Sequence, residues 1–541
     1  MRLSIKYFLL ICTMCLSTTD VCAQKAIIKS PKIPKIKPSR VKPPINWVAP
    51  IGHEVIKANK TSSKASTTTS KNTKLSDVRL TIPQTKNPKK KQQEILSPLL
   101  SSQGLYRLDS LLLDSLLKES YVLRFVNYAR INSQSTESED VTAFPLSMGQ
   151  RQMARLVEQD LLKMAKNNKS LQVVRSEREY VYAKLPATTK RKLPSIMLMA
   201  HLDITPEAPG GNIKPIVHRN YQGGDIVLPS GVVLSPDSPQ GKHLKECIGK
   251  TIITSDGNTL LGADDKTGCT VLVSLICNLL YGKPFEHGDL YFVFSQNEDI
   301  GRAADGFETK YVGGNPDVVI DVDGDDPHSF SVENFTAAMR IYTFHGKNAH
   351  PGEGYANKYG DALTAASYFV GQIPPYKHPS VSRGKQGYIH CYDISHPKDS
   401  TGKVISDDYL VKVRLRYFDK LEGDTLRQML DYAEGKTIEA FPFVKVEASA
   451  ENLQYENVAY TMYPTLPDII KKAYASFGKK VSPRSERGGT TSAMIAAKGL
   501  RGGACIFSGQ QAEHSVYEWT CVEDMVDMTK ILQKIIMLIN K

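Results

Sequence analysis

Tryptophan and cysteine are scarce, with 2 and 9 residues in a chain of 541. Three cysteines, Cys12, Cys15 and Cys22, fall at the extreme N-terminus. The other six, Cys247, Cys269, Cys277, Cys391, Cys505 and Cys521, form no C-x-x-C pair and no regular spacing. That argues against a disulfide-stapled scaffold or a cysteine-rich zinc module. Several lie in apolar runs, where a buried free thiol is the plain expectation. Beyond the N-terminus no apolar run approaches the roughly 20 residues that span a bilayer. Acids are nearly missing from residues 24–91, where Glu54 and Asp77 face 17 Lys and Arg. That segment is rich in Lys, Pro, Ser and Thr and too poor in large apolar residues to form a core. Its net charge of +15 exceeds the +13 of the whole chain, so the remainder is close to neutral. The basic balance therefore describes an extension, and it implies nothing about the folded body. With no aromatic interleaving and no nucleic-acid module, nucleic-acid binding is not expected.

What is present begins with Arg2 and Lys6, the apolar stretch FLLICTMCLS, and Val21-Cys22-Ala23 before Gln24. This pattern reads as a secretory leader over residues 1–23, placing the mature chain in the periplasm or otherwise outside the cytoplasm. Residues 24–104 read as a disordered basic extension or linker, suited to an anionic envelope surface. Two amphipathic helices follow, LDSLLLDSLLKESYVLRFVNYARI and SMGQRQMARLVEQDLLKMA, the second with Ser147 as its cap. SIMLMAHLD, DLYFVFSQ, PDVVIDVDG and GACIFSGQ read as buried strands between helices, the signature of a largely parallel sheet covered on both faces. Between them, YLVKVRLRYFD alternates apolar and polar residues, as in a half-solvated antiparallel sheet. The expectation is an α/β catalytic domain over residues 105–331 and 454–541, with an inserted α+β lid or dimerisation domain over 332–453. A final helix is expected from Thr520, with Thr520 and Glu523 as a capping box.

In open α/β sheets, ligands collect beyond the carboxyl ends of the strands. The polar residues there are His201 and Asp203 after IMLMA, Glu298 and Asp299 after YFVF, Asp323 after VVIDV, and His514 after CIFSG. Asp264 stands at a helix entrance in LLGADDKTG. Carboxylate oxygen mixed with imidazole nitrogen suits divalent metals. Two residues apart on a strand, His201 and Asp203 point the same way, so Asp203 can accept the second ring N–H of His201. Glu298 and Asp299, consecutive in extended chain, would point opposite ways and divide their labour.

The segments AHLDITPEAPG, TIITSDGNTLLGADDKTG, NEDIGR, VDGDD, NAHPGEG, RYFD, RGGT and FSGQQAEH, in this order, resemble the tripeptide aminopeptidase (peptidase T) branch of the M20 metallopeptidases. The resemblance runs from about Leu117 to the C-terminus. It implies two zinc ions per subunit, with cobalt or manganese as alternatives. His201, Asp264 and Asp323 would ligate one ion. Asp264 would bridge, and Asp299 and His514 would complete the second site. It further implies Glu298 as general base, Asp203 as the orienting partner of His201, His350 as a lid histidine reaching a partner subunit's site, and Arg416 as an anchor for a substrate carboxylate. The resemblance also implies a short peptide as substrate and a homodimer as the assembly. This chain departs from the family in three places. It has Glu298-Asp299 for the usual Glu-Glu, Thr491 where an acid is common, and GQQAEHS around His514. These departures leave three alternatives open: an M20 dipeptidase, a carboxypeptidase, or an N-acyl amino acid deacylase. A non-catalytic secreted binding protein is a further alternative.

Overall fold

The computed structural model describes residues 110–136, 144–399 and 401–541. The leader-like segment and the basic extension lie outside the described residues. Eight strands form the main sheet: β1 (Gln172–Arg175), β2 (Val181–Leu185), β3 (Ile196–His201), β4 (Leu290–Ser295), β5 (Val318–Gly324), β6 (Ser329–Asn334), β7 (Ser482–Glu486) and β8 (Ala504–Phe507). Their order is β1-β2-β4-β3-β5-β8-β6-β7. The central four, β4, β3, β5 and β8, run parallel, and β6 pairs β7 in parallel. β1–β2, β2–β4 and β8–β6 are antiparallel, so the sheet is mixed. The parallel strands are the near-continuous apolar runs, buried on both faces; β3 and β4 are buried at every residue.

Side-chain alternation divides these strands between two cores. Ile196, Leu198 and Ala200 face a cluster built with helices α1 (Ser110–Ala129), α2 (Met148–Asn167), α3 (Ala263–Tyr281), α4 (Leu466–Ala475) and α5 (Val522–Ile539). Met197 and Met199 face the opposite side, with Tyr180, Val293, Val319 and Ile495. Ser147 caps α2 as expected, closing a full capping box with Gln150. The capping box expected at Thr520 does not form. Thr520 lies in a short strand, Trp519–Cys521, and Cys521 occupies the cap position of α5. Glu523 instead accepts the Thr251 N–H at 2.9 Å. The tertiary contact captures the side chain that a local cap would use. Among the described residues no helix is long and apolar enough to cross a membrane.

The inserted region forms an antiparallel sheet in the order Tyr388–Ser395, Tyr409–Tyr417, Thr336–His345, Lys445–Ala448, with Asn452–Tyr455 also on Thr336–His345. Helices Ala362–Gly371 and Lys420–Ala440 cover it. Its own core contains Tyr342, Phe344, Phe369, Leu415, Leu426 and Leu430. The alternation of YLVKVRLRYFD appears as a strand with every second residue buried from Val411 to Tyr417.

Candidate metal centre

β3, β4, β5 and β8 are parallel neighbours, so their carboxyl ends emerge along one edge. His201 is the last residue of β3, and its backbone pairs with Ser295 at the end of β4. Asp323 is the next-to-last residue of β5. The chain leaving β8 reaches His514 seven residues later, and the loop entering α3 supplies Asp264. Six side chains named from the sequence thus meet at this edge: His201, Asp203, Asp264, Asp299, Asp323 and His514.

Asp264 stands between the two histidines. Its Oδ1 lies 2.8 Å from His201 Nε2 and its Oδ2 lies 3.3 Å from His514 Nε2. His201 Nε2 is also 3.5 Å from Asp323 Oδ1. His514 Nε2 is 3.0 Å from Asp299 Oδ1. Two sets of donors therefore share one carboxylate. His201 with Asp264 and Asp323, both within 3.5 Å of its Nε2, makes the first set. Asp264, Asp299 and His514 make the second, with one ligand atom from each within 4.8 Å of the others, and Asp265 stands equally close to His201 and Asp323. The chemistry of the donors fits a pair of divalent cations. Asp299 Oδ2 is buried without any hydrogen-bond donor. Such an oxygen is costly to bury unless a cation meets it.

The loops that carry the ligands are held by main-chain hydrogen bonds. Glu518, 1% exposed, accepts the N–H groups of Leu261 and Gly262 at 2.6 Å and of Asp264 at 2.9 Å. Asp265, fully buried, accepts the N–H of His201 at 3.2 Å and of Gly268 at 2.9 Å. Gly268 is required there, since a Cβ would sit 2.1 Å from the Val322 carbonyl oxygen. Asp203 accepts the N–H groups of Glu298 and Asp299, both at 3.2 Å, and the Ser135 hydroxyl at 2.5 Å. His201 Nδ1 is nearer the main-chain oxygen of Asp203, at 3.1 Å, than its carboxylate, at 3.7 Å. The ring is thus aimed by the Asp203 backbone, while the Asp203 side chain clasps the NED turn. On the other histidine, Nδ1 is 2.9 Å from Glu207 Oε2.

Glu298 and Asp299 are not in extended chain. Asn297 adopts φ 59°, and the next residues form a turn closed by Gly301 N–H on the Glu298 carbonyl at 2.7 Å. Gln150 Nε2 donates to Asn297 Oδ1 at 2.6 Å and fixes the turn from α2. The two acids separate through this turn, with no help from strand alternation. Glu298, Asp264, Asp299, Asp323 and His514 line a cavity of about 450 Å³. Burial, then neighbouring charge, pushes the Glu298 carboxyl well above its ordinary value. Burial first also lifts Asp323 to about 7 and Asp299 to about 6. Hydrogen bonds to Asp264 and Asp299 lift His514 to about 12. The raised carboxyls mark burial and like charges crowded together, a crowding that dications would relieve, and the raised histidine marks the carboxylates that face it.

The two lid residues stand apart from this cluster. His350 is exposed, and its Nδ1 accepts the Gly352 N–H at 3.2 Å. Arg416 donates to the Leu415 carbonyl at 2.9 Å and to Gln454 at 3.3 Å, and its guanidinium lies 5.3 Å from the Tyr455 ring centre. Tyr455 lines the cavity, which places Arg416 one side chain behind its wall. Sequence reasoning did not single out Glu207, Asp265 or Glu518. Glu207 sits within AHLDITPEAPG and Asp265 beside Asp264, but Glu518 has no local signature.

The family model described as Peptidase family M20/M25/M40 matches residues 259–538. A peptidase T of Desulfitobacterium hafniense is 32% identical over 422 residues, 77% of this chain and 97% of that protein. A peptidase T of Halothermothrix orenii is 32% identical over 423 residues, 76% of this chain and 97% of that protein. Among solved structures, an aminopeptidase from Bacillus cereus aligns with TM-score 0.57 at 18% identity, over 78% of this chain and 99% of its own. A tripeptidase from Staphylococcus aureus aligns with TM-score 0.56 at 17% identity, over 78% and 99%. The structural likenesses speak to the shared catalytic and lid architecture alone.

Proposed function

This chain belongs to peptidase family M20/M25/M40, and we propose that within this family of metal-dependent exopeptidases it releases the N-terminal residue of tripeptides. One observation carries the reading: a single carboxylate, Asp264, reaches two histidines that otherwise belong to separate donor sets. His201 and Asp323 would hold one zinc with Asp264, and Asp299 and His514 would hold the other. When bound, the two ions lower the pKa of a water and polarise a carbonyl. The remaining work falls to the protein. Glu298, on the cavity wall and free of both donor sets, takes a proton from the attacking water and passes it to the leaving amine. Asp203 holds the Glu298 and Asp299 backbone so that the base stays beside the ligand. Arg416 anchors the peptide carboxylate with its planar fork of donors. His350, exposed on the lid, serves the site of a second subunit in a homodimer.

The test is product analysis of the zinc-loaded protein with Ala-Ala-Ala, Ala-Gly-Leu, Ala-Ala and an N-acyl amino acid. The expected products come from the tripeptides alone: alanine and Ala-Ala from the first, and alanine with Gly-Leu from Ala-Gly-Leu, which separates N-terminal from C-terminal release. Cleavage confined to the dipeptide or the acylated substrate would overturn the tripeptidase reading. Inactivity on every substrate with zinc bound would favour a binding role. From the leader-like residues 1–23 we also place the mature chain outside the cytoplasm, with residues 24–104 against an anionic envelope surface. N-terminal sequencing of the native protein should begin at Gln24, and an intact Met1 would sink that placement.

A further inference from the structure

A second group of metal-type donors lies outside the centre just described and shares no residue with it. His243 and Glu246 sit on one 3-10 turn, Lys242–Glu246. In that geometry side chains at i and i+3 eclipse, so both project from one face. His328 comes from the turn after β5, where Asp326 Oδ1 accepts its N–H at 2.9 Å. His328 Nε2 lies 2.8 Å from Glu246 Oε1. One ligand atom from each of His243, Glu246 and His328 falls within 4.8 Å of the other two.

The decisive feature is the state of His243. The residue is 5% exposed, and its Nε2 lies 2.8 Å from Oδ2 of Asp524, itself 4% exposed. The other oxygen of Asp524 takes the Lys250 ammonium at 3.1 Å. Lys250 balances the charge of Asp524, and Asp524 fixes Nε2 of His243 as the N–H nitrogen. In the neutral ring, the form a cation would select, Nδ1 is the lone-pair nitrogen. It is buried with no hydrogen-bond partner, and Glu246 Oε2 stands 3.7 Å away. A carboxylate holding one ring nitrogen while the other is bare is the arrangement that orients a metal-binding histidine. A cavity of about 660 Å³ opens over the group, and Asp325, Asp326 and Glu513 add negative charge to its wall.

We propose that His243, Glu246 and His328 form a third divalent-cation site. Two imidazole nitrogens and one carboxylate oxygen suit zinc. Glu246 and His328 are half exposed, leaving the fourth position to water. A cation there ties the 3-10 turn to the turn after β5, and through Asp524 to α5. It stands outside the reaction as a staple between these segments.

The experiment is elemental analysis of the full chain after saturation with zinc sulfate and gel filtration. Three zinc ions per chain are expected. His328→Ala and Glu246→Gln should each carry two, with hydrolysis of Ala-Ala-Ala unchanged. Asp524→Asn should weaken the third ion alone by roughly 10–100-fold. Two ions in the unaltered chain, or a content that His328→Ala does not change, would overturn the site. So would nitrogen NMR showing both ring nitrogens of His243 protonated at zinc saturation. A chain holding a single zinc that His328→Ala removes would support this site and sink the paired centre, so the two failures are distinguishable.

Discussion

The floor of the cavity and the lid beside it are built on opposite plans. On the floor, ligands sit at the ends of buried parallel strands, and the segments bearing them are gripped by carboxylates on backbone N–H groups: Glu518 on three, Asp203 and Asp265 on two each. On the lid, His350 is exposed and held by one contact two residues away, and Arg416 reaches a neighbouring carbonyl and Gln454. Buried, doubly held groups keep a geometry to within a fraction of an ångström. Exposed groups are free to follow a substrate or a second subunit. On the proposed function, metal chemistry would belong to the rigid region and choice of substrate to the adaptable one.

If that division is right, damage to the floor should abolish function and damage to the lid should retune it. The largest effect is expected from Asp264→Ala, which removes the one group common to both donor sets. Both zinc ions of the paired centre and activity should disappear together, and a variant that keeps that pair would refute the bridging role. Glu298→Ala comes next. It should lower kcat by about 10²–10⁴-fold, the usual worth of a positioned acid–base, and leave both zinc ions in place. Loss of metal from that variant would make Glu298 a ligand.

Glu518→Ala probes the grip itself. Three buried N–H groups would lose their acceptor, at about 1–3 kcal/mol each. The melting temperature should fall by several degrees even in chelator, where metal loss contributes nothing. An unchanged melt in chelator would mean that the loop entering α3 is held by something else.

These residues also mark how far the sequence could be read. Apolar runs such as SIMLMA and LYFVF are legible because both faces of a central parallel strand must be buried. The polar residues that end them then fall at one sheet edge, which brings the six named ligand-edge residues together. Glu518 was not legible, because its partners lie more than 250 positions away and are backbone groups that leave no trace in residue type. The turn at Asn297 was hidden for a related reason. Its φ of 59° is stabilised by Gln150, which is distant in sequence. The edge strand β1 is short, and its antiparallel pairing with β2 depends on a neighbour that no local pattern names. On the lid, alternation revealed the sheet, but the distance of His350 and Arg416 from the metal ligands is a property of how two layers meet.

Arg416→Ala tests the lid half of the comparison. A charge-assisted bond to a peptide carboxylate contributes about 1.5–3 kcal/mol, so KM for Ala-Ala-Ala should rise by roughly 10–100-fold. kcat should hold, and zinc content should stay at its original value. A fall in kcat with KM unchanged would mean that the residue acts on the floor after all.

The smallest effect is expected from Asp299→Glu. The substitution adds one methylene to a side chain that is almost wholly buried and whose carboxylate lies 3.0 Å from His514 Nε2. Its backbone is tied to Asp203 at 3.2 Å, so the main chain cannot easily withdraw to make room. Overpacking of this kind costs about 1–3 kcal/mol in a closed core. This site, however, opens into a cavity, and the glutamate can fold its extra length along that wall. The zinc content should match that of the unaltered chain by elemental analysis, with kcat/KM reduced by less than about tenfold, the equivalent of ~1.4 kcal/mol. If the variant lost one zinc, the turn after Asn297 would be fitted to the shorter acid, and the rigidity assigned to the floor would extend to a single methylene.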